Sequence, residues 1–170
     1  CKGAYKEPPD IAYQEMPELR ADYKDFKFLG IWASDVVNLA MKDKTVSKLD
    51  EMKGLRLATG GGQVAEMAKL LGAAPQPVGY PDVYMALHRG MAEGALFPNA
   101  PLRSFKITEV TSTHLMANFK VEPLAAAMRL ETWNSLPPDV QKVFDELNPS
   151  FARLCGHTLT NEGLWVIEAL

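Results

Sequence analysis

Residues 55–97 have the sequence LRLATGGGQVAEMAKLLGAAPQPVGYPDVYMALHRGMAEGALF, in which short apolar runs alternate with longer periodic segments. The runs Leu55–Thr59, Pro75–Gly79 and Met91–Phe97 have the length and the turn-forming boundaries of strands. A helical segment separates each run from the next. The order strand, helix, strand, helix, strand predicts an α/β fold with parallel or mixed strand pairing.

Both helical segments have an apolar stripe at helical spacing. In the first segment the apolar positions i, i+3, i+4 and i+7 are Val64, Met67, Ala68 and Leu71. In the second segment they are Val83, Ala86 and Leu87. Pro81 lies in the first turn of the second helix, where proline is favoured. Gly72 and Gly90 each follow the last periodic residue, so we expect the two helices to end there.

The flanking residues add further predicted strands and helices. Phe26–Trp32 (FKFLGIW) alternates and then becomes apolar, which is typical of a strand that enters a core. The other predicted elements are a helix over Ile11–Tyr23, a helical turn over Val46–Met52, strands over His114–Lys120 and Glu122–Leu130, a helix opened by Pro137 and Pro138, and a last helix over residues 149–170.

Composition and charge exclude several classes of function. The chain has 170 residues, 47% hydrophobic and 23% charged, with a net charge of -3. Because no basic block occurs, we do not expect a nucleic acid as a partner. No apolar run approaches the ~20 residues that span a bilayer. The two cysteines, Cys1 and Cys155, form no Cys-x-x-Cys motif, which argues against a zinc ribbon or a thioredoxin-like site.

No motif for covalent chemistry, a metal or a cofactor occurs in the sequence. Gly60–Gly62 lies between a strand and a helix, as phosphate loops do, but neither Gly-Lys-Ser/Thr nor G-x-G-x-x-G spacing is present. His88, His114 and His157 are isolated from one another, whereas a metal site needs three or four converging ligands. We therefore expect no catalytic residue, no metal and no cofactor. The glycines either make a tight turn or bring backbone N–H groups to a ligand.

Three aromatic residues follow or end predicted strands. They are Trp32, Tyr80 and Phe97. In open α/β folds, ligands bind outside the carboxyl ends of the strands, so these side chains are candidates for the walls of one pocket. Ordinary core packing explains their positions equally well, and the sequence leaves both interpretations open.

Four segments resemble a known family. Lys44–Thr59 (KTVSKLDEMKGLRLAT) resembles the signature L-x-D-L-K-G-L-K-I-R, and Leu71–Gln76 (LGAAPQ) resembles LGA-x-P. Tyr80–Gly94 (YPDVYMALHRGMAEG) is similar to EVY-x-ALQ-x-G-x-x-DG, and Leu136–Phe144 (LPPDVQKVF) to LPPDLQKV. In this order and spacing they resemble the DctP-type solute-binding subunits of TRAP transporters.

The resemblance implies a fold and a setting. The fold is a periplasmic-binding-protein-like (type II-like) α/β lobe with a mixed sheet flanked by helices, in a protein whose two lobes close about a hinge. The chain is expected to correspond to the carboxy-terminal portion of such a protein. Residues 1–30 lead into the lobe, 31–115 form the second lobe, and 116–170 complete the first lobe and the hinge. The setting is the periplasm, and the partners are a small organic solute and the transporter's membrane subunits.

The resemblance also assigns candidate ligand contacts. Many relatives have an arginine for a ligand carboxylate where this chain has Ala58, and some have an asparagine where it has Phe97. The full set of candidates is Trp32, Asn38, Ala58, Thr59, Tyr80, Phe97 and Asn99. We expect an aromatic or otherwise apolar-bodied solute, stacked on the aromatic side chains. The alternative is a small organic acid whose anion is held by the N–H groups of Gly60–Gly62.

Two rival functions use the same fold. One is an enzyme, which would convert its ligand where a binding protein returns it unchanged. The other is a sensory domain whose partner is a protein, which would bind no metabolite. Since the family motifs are present and no nucleophile with its base is visible, we expect solute capture without covalent chemistry.

Overall fold

A computed structural model describes residue 21 and residues 23–169, and its strands form one mixed sheet. The strands are β1 (Phe26–Met41), β2 (Arg56–Thr59), β3 (Ala74–Pro77), β4 (Gly94–Pro98) and β5 (Thr113–Arg129), in the order β3-β2-β4-β1-β5. β2 pairs in parallel with both β3 and β4, whereas β1 pairs antiparallel with β4. The predicted mixed α/β arrangement is confirmed.

Helices follow β2, β3, β4 and β5 along the chain. They are α1 (Gly62–Leu70), α2 (Tyr80–His88), α3 (Asn99–Ser104), α4 (Leu130–Ser135) and α5 (Pro138–Ala169), with 3₁₀ turns at Leu49–Met52 and Ile107–Val110. Gly72 (φ 85°) and Gly90 (φ 70°) follow α1 and α2 in the left-handed conformation that favours glycine, so the predicted helix ends are confirmed. None of the described helices is long and apolar enough to cross a bilayer.

The central strands are buried on both faces of the sheet. Leu57 of β2 belongs to an apolar cluster with Val64 of α1. The next residue, Ala58, points to the opposite face and belongs to a cluster with Val83 of α2. Burial on both faces is typical of parallel strands covered by crossover helices. Along the chain, α1 begins just after β2 ends, and α2 begins just after β3 ends.

The strand predicted over Phe26–Trp32 is longer than expected and continues to Met41. Buried polar side chains at Asp35 and Asn38 interrupt the apolar pattern that would have revealed the extension. Both are tolerated in the strand because they are hydrogen-bonded. Asp35 Oδ2 accepts the Ala100 N–H at 2.9 Å, and Asn38 Oδ1 accepts the Asn118 N–H at 2.8 Å.

Two other boundaries differ from the sequence prediction. The two strands predicted after His114 are one strand, β5, in which Asn118 adopts a left-handed conformation with φ 53°. The helices predicted on either side of residue 149 are one helix, α5, with Pro149 inside it. The residues after Pro149 hold α5 against β1. The Phe151 ring meets the Trp32 ring edge-on, and Ala152 packs on Gly30. The helix predicted over Ile11–Tyr23 lies almost entirely outside the described residues.

The chain forms two compact units. Within the described residues, the first unit comprises residues 23–34 and 123–158, and the second comprises 35–122 and 159–169. In the first unit, Trp133 is buried beside Phe144, and Lys27 Nζ lies 4.5 Å from the centroid of the Trp133 ring. The second unit contains both apolar clusters of the sheet. The lobe boundaries at 31–115 stay a prediction.

Candidate functional site

A cavity of about 290 Å³ lies in the second unit, where β2 and β3 end and α2 begins. Gly60 lines it on one side, and the run from Pro77 through Val78 and Gly79 to Tyr80 lines it on the other. The Val78 N–H donates to the Thr59 carbonyl at 3.0 Å, which holds these two walls together. The carboxyl ends of parallel strands are where α/β folds bind ligands, so the cavity is the candidate site.

Tyr80 is held in the wall of this cavity by two other aromatic rings. The Phe97 ring meets Tyr80 edge-on, with centroids 4.7 Å apart, and the Phe105 ring stacks on Tyr80 at 5.7 Å. Phe97 is 1% exposed, so it lies behind Tyr80 and supports it. Burial, together with the negative charge and hydrogen bond of Glu122, raises the pKa of the Tyr80 hydroxyl to about 12. At neutral pH the Tyr80 side chain in the wall is therefore uncharged.

Thr59 ends β2 immediately before the cavity. Its side chain is fully buried, and its Oγ1 has no hydrogen-bond partner among the described residues. A buried hydroxyl without a partner costs free energy, since water would otherwise bond to it. Such a group is unusual enough in a folded protein to indicate a functional role.

The backbone that follows Thr59 has free space around it. Gly61 (φ 83°) and Gly62 (φ 51°) are both left-handed, and an added Cβ atom on either would meet nothing within 4 Å. Gly61 caps α1 without a side-chain hydrogen bond. The first N–H groups of a helix have no carbonyl partner inside it, so this helix start presents donors to its surroundings.

Two of the predicted polar contacts form a buried amide pair. Asn38 Nδ2 donates to Asn99 Oδ1 at 3.3 Å, and each residue is 3% exposed. Asn38 lies opposite Phe97 in the sheet, so the pair borders the aromatic cluster. Asn118, which sequence reasoning missed, completes the group by donating its N–H to Asn38.

The predicted site residues have different surroundings in the structure. Thr59 and Tyr80 adjoin the cavity, Phe97 lies behind Tyr80, and Asn38 and Asn99 bond to each other. Ala58 is fully buried and pairs with Ala95 in the sheet, so it faces packed side chains. Trp32 belongs to the first unit, where its ring contacts Phe151 at 5.7 Å.

Three residues that no sequence motif selects also belong to this region: Phe105, Gln63 and Lys120. Lys120 Nζ donates to Gln63 Oε1 at 3.0 Å, in the first turn of α1. The two residues are 57 positions apart, and no motif links them. Within the residues described, no group of three or more His, Cys, Asp or Glu side chains is placed to hold a metal ion.

Comparison with known proteins identifies the family. The sequence pattern of DctP, described as bacterial extracellular solute-binding protein, family 7, matches residues 13–154. The chain belongs to the DctP family. A solute-binding protein from Sulfitobacter sp. (strain NAS-14.1) is 29% identical to it over 120 residues, which are 70% of this chain and 36% of that protein. The C4-dicarboxylate-binding periplasmic protein DctP of Rhodobacter capsulatus is 29% identical over 93 residues. These residues are 54% of this chain and 28% of that protein.

A solved structure shares the fold of this DctP-family chain. It is a TRAP periplasmic solute-binding protein from Bordetella bronchiseptica with bound (R)-mandelate and (S)-mandelate, 25% identical, with a TM-score of 0.83. The match covers 94% of this chain and 51% of that one. The chain therefore spans about half of that structure and about a third of the curated relatives above. The family and the periplasmic-binding-protein-like fold predicted from the sequence are confirmed.

Proposed function

We propose that the protein captures a small organic solute in the periplasm for a TRAP-type secondary transporter, without covalent chemistry. The observation that carries the proposal is the cavity at Gly60 and Tyr80, at the strand ends of a DctP-family chain. Closure of two lobes around the solute follows if the solute binds the closed state more tightly than the open one. The closed form is then recognised by the membrane subunits of the transporter.

The solute is proposed to be an organic acid with an aromatic or otherwise apolar body. The uncharged Tyr80 ring in the cavity wall favours such a body, because aromatic faces stack on apolar groups. The Bordetella bronchiseptica protein, with its bound mandelate, provides a precedent for an acid that carries a phenyl ring.

The candidate residues have different proposed parts. Tyr80 forms the apolar wall, and Phe97 holds it in place from behind. Thr59, Asn38 and Asn99 are proposed polar contacts, and Ala58 is proposed to contribute only a small side chain beneath the site. Trp32 is proposed as a further aromatic contact with the solute.

The test begins with the full-length gene product, purified without added ligand. Mass spectrometry of small molecules released from it should show one enriched organic acid, and calorimetry with that acid should show saturable binding of one molecule per protein. The acid should be recovered unchanged after prolonged incubation. Steady conversion of the acid would mean that the protein is an enzyme, and the absence of any bound metabolite would contradict solute capture.

A pair of tyrosine variants assigns the binding to the cavity. Tyr80→Ala should weaken binding of the recovered acid at least tenfold, because an aromatic stacking contact and its buried area are lost. Tyr84→Ala is the matched control. Tyr84 lies in the same helix and stacks on His88 at 6.1 Å, outside the residues that line the cavity. Equal losses in both variants would indicate damage to α2 and not removal of a contact.

A further inference from the structure

We propose, resting on the proposed function, that the start of α1 together with Thr59 and Lys120 binds the carboxylate of the solute. The site lies within the second unit and adjoins the cavity at Gly60. It supplies a hydroxyl, backbone N–H groups and one ammonium group to a single anionic group. The ligand class is a monocarboxylate whose apolar body extends toward Tyr80.

Thr59 is the observation that separates this helix start from an ordinary one. Its hydroxyl is fully buried and lacks a partner among the described residues. Because side chains alternate along a strand, Thr59 lies on the same sheet face as Leu57, which packs against Val64 of α1. The Thr59 side chain therefore lies on the side of the sheet that α1 covers. A hydroxyl without a partner among the described residues is placed there to bond to an atom of a ligand.

The first turn of α1 is built for negative charge. It contains no acidic residue, and its N-cap residue, Gly61, has no side chain that could accept a hydrogen bond from the first N–H groups. The open space around Gly61 and Gly62 leaves the backbone donors accessible. Free N–H groups and the positive end of a helix attract anions. The neighbouring helix α2 has Asp82 in its first turn, which disfavours an anion at that end of the cavity.

Lys120 brings an ammonium group to this place, where it also forms an ion pair with Glu122. Its Nζ lies 3.0 Å from Gln63 Oε1 and 3.8 Å from Glu122 Oε1, and its side chain is 20% exposed. Gln63 thus fixes the ammonium group next to the first turn of α1. A hydrogen bond between an ammonium and a carboxylate is about twice as strong as a neutral one. The lysine therefore selects an acid over the corresponding amide.

The test uses sodium mandelate and its uncharged analogue mandelamide with the full-length gene product. Backbone amide signals of residues 60–63 should shift with mandelate and stay unchanged with mandelamide at the same concentration. Equal shifts with both compounds, or none with mandelate, would overturn the carboxylate site. Solute capture is judged separately, by the acid recovered from the purified protein, so the two proposals fail independently.

Variants separate a ligand contact from a structural role. Thr59→Val should weaken mandelate binding about tenfold while Tm stays equal or rises, because the lost hydroxyl has no partner among the residues that the structure describes. Thr59→Ser restores the hydroxyl and should restore the affinity. Lys120→Gln should weaken mandelate binding, whereas Lys69→Gln, at the other end of α1, should leave mandelate binding unchanged. A Thr59→Val variant with lower Tm and unchanged affinity would make Thr59 a structural residue.

Discussion

The carboxylate of Asp35 packs directly on the backbone of α5 at Gly163. An added Cβ atom on Gly163 would lie 2.5 Å from Asp35 Oδ2. The same oxygen accepts the Ala100 N–H at 2.9 Å, so one buried carboxylate joins β1, α3 and α5 within the second unit. Burial raises the pKa of Asp35 despite these backbone hydrogen bonds. Glycine at 163 is therefore required by space, whereas in most helices alanine is the better residue.

The first prediction concerns that contact. Gly163→Ala should lower the free energy of unfolding by about 1–3 kcal/mol, because the new methyl group overlaps the carboxylate and overpacking strains a core. Urea unfolding measures the effect. In a double-mutant cycle, Asp35→Ala should remove most of the penalty, since it removes the atoms that clash. If Gly163→Ala stabilises the protein, as the same change does in an open helix, the contact is not as tight as described.

The second prediction concerns Glu93, whose carboxylate accepts hydrogen bonds from Lys44 Nζ at 2.7 Å and from the Arg56 N–H at 3.2 Å. The Lys44 hydrogen bond is the main cause that lowers the pKa of Glu93 to about 2. The folded state thus favours the ionised form of Glu93. The contribution of this carboxylate to the free energy of unfolding is therefore present above pH 4.5 and is lost as the pH falls toward 2.

Glu93→Gln should lower the free energy of unfolding by about 1 kcal/mol at pH 7. The effect is modest because the ion pair is partly exposed and screened. The variant should also lose less stability than the wild type between pH 5 and pH 2. Denaturant unfolding at several pH values tests both statements. Glu66→Gln is the control, since Glu66 pairs with Lys69 on the surface at 68% side-chain exposure. Parallel pH profiles for wild type and Glu93→Gln would contradict the prediction.

The third prediction concerns His114, which lies half-buried in β5 with Nε2 3.2 Å from Thr111 Oγ1. Burial lowers its pKa below 6.5 because it disfavours the charged imidazolium. The unfolded chain therefore binds a proton more readily, and stability falls as the pH drops below about 6.5. His114→Gln should reduce this loss between pH 7 and pH 5. His157→Gln, at an exposed position, is the matched control variant.

Local features of the fold could be predicted from the sequence because they depend on near neighbours. The spacing of Val64 and Ala68 predicted α1, and Gly72 predicted where it ends, since helix periodicity and left-handed backbone are local properties. The extension of β1 could not be predicted, because Asp35 and Asn38 are polar. Their burial is explained only by the partners Ala100 and Asn118, which lie 65 and 80 residues away.

The candidate site, too, could be predicted only in part from the sequence. Tyr80, which follows a predicted strand, lies in the cavity wall, and its contact with a ligand stays a prediction. The sequence did not reveal that Phe97 lies behind Tyr80, since an aromatic residue at a strand end has the same pattern whether it lines a cavity or supports a neighbour. The contact between Lys120 and Gln63 depends on how β5 reaches α1, which no local pattern encodes.

The last prediction concerns an apolar stripe along α5. Val143, Leu147 and Leu154 are 53%, 59% and 66% exposed, and their spacing places them on one face of the helix. Exposed apolar surface of this kind promotes association with another apolar surface. The isolated 170-residue chain should therefore self-associate in sedimentation velocity experiments at micromolar concentration. Leu147→Glu combined with Leu154→Glu should restore a monomer, because each carboxylate would have to be buried in the contact. Lys142→Glu changes the net charge by the same two units from outside the stripe, so it should leave the association intact. A wild-type chain that stays monomeric, or equal dissociation by Lys142→Glu, would show that the stripe does not drive association.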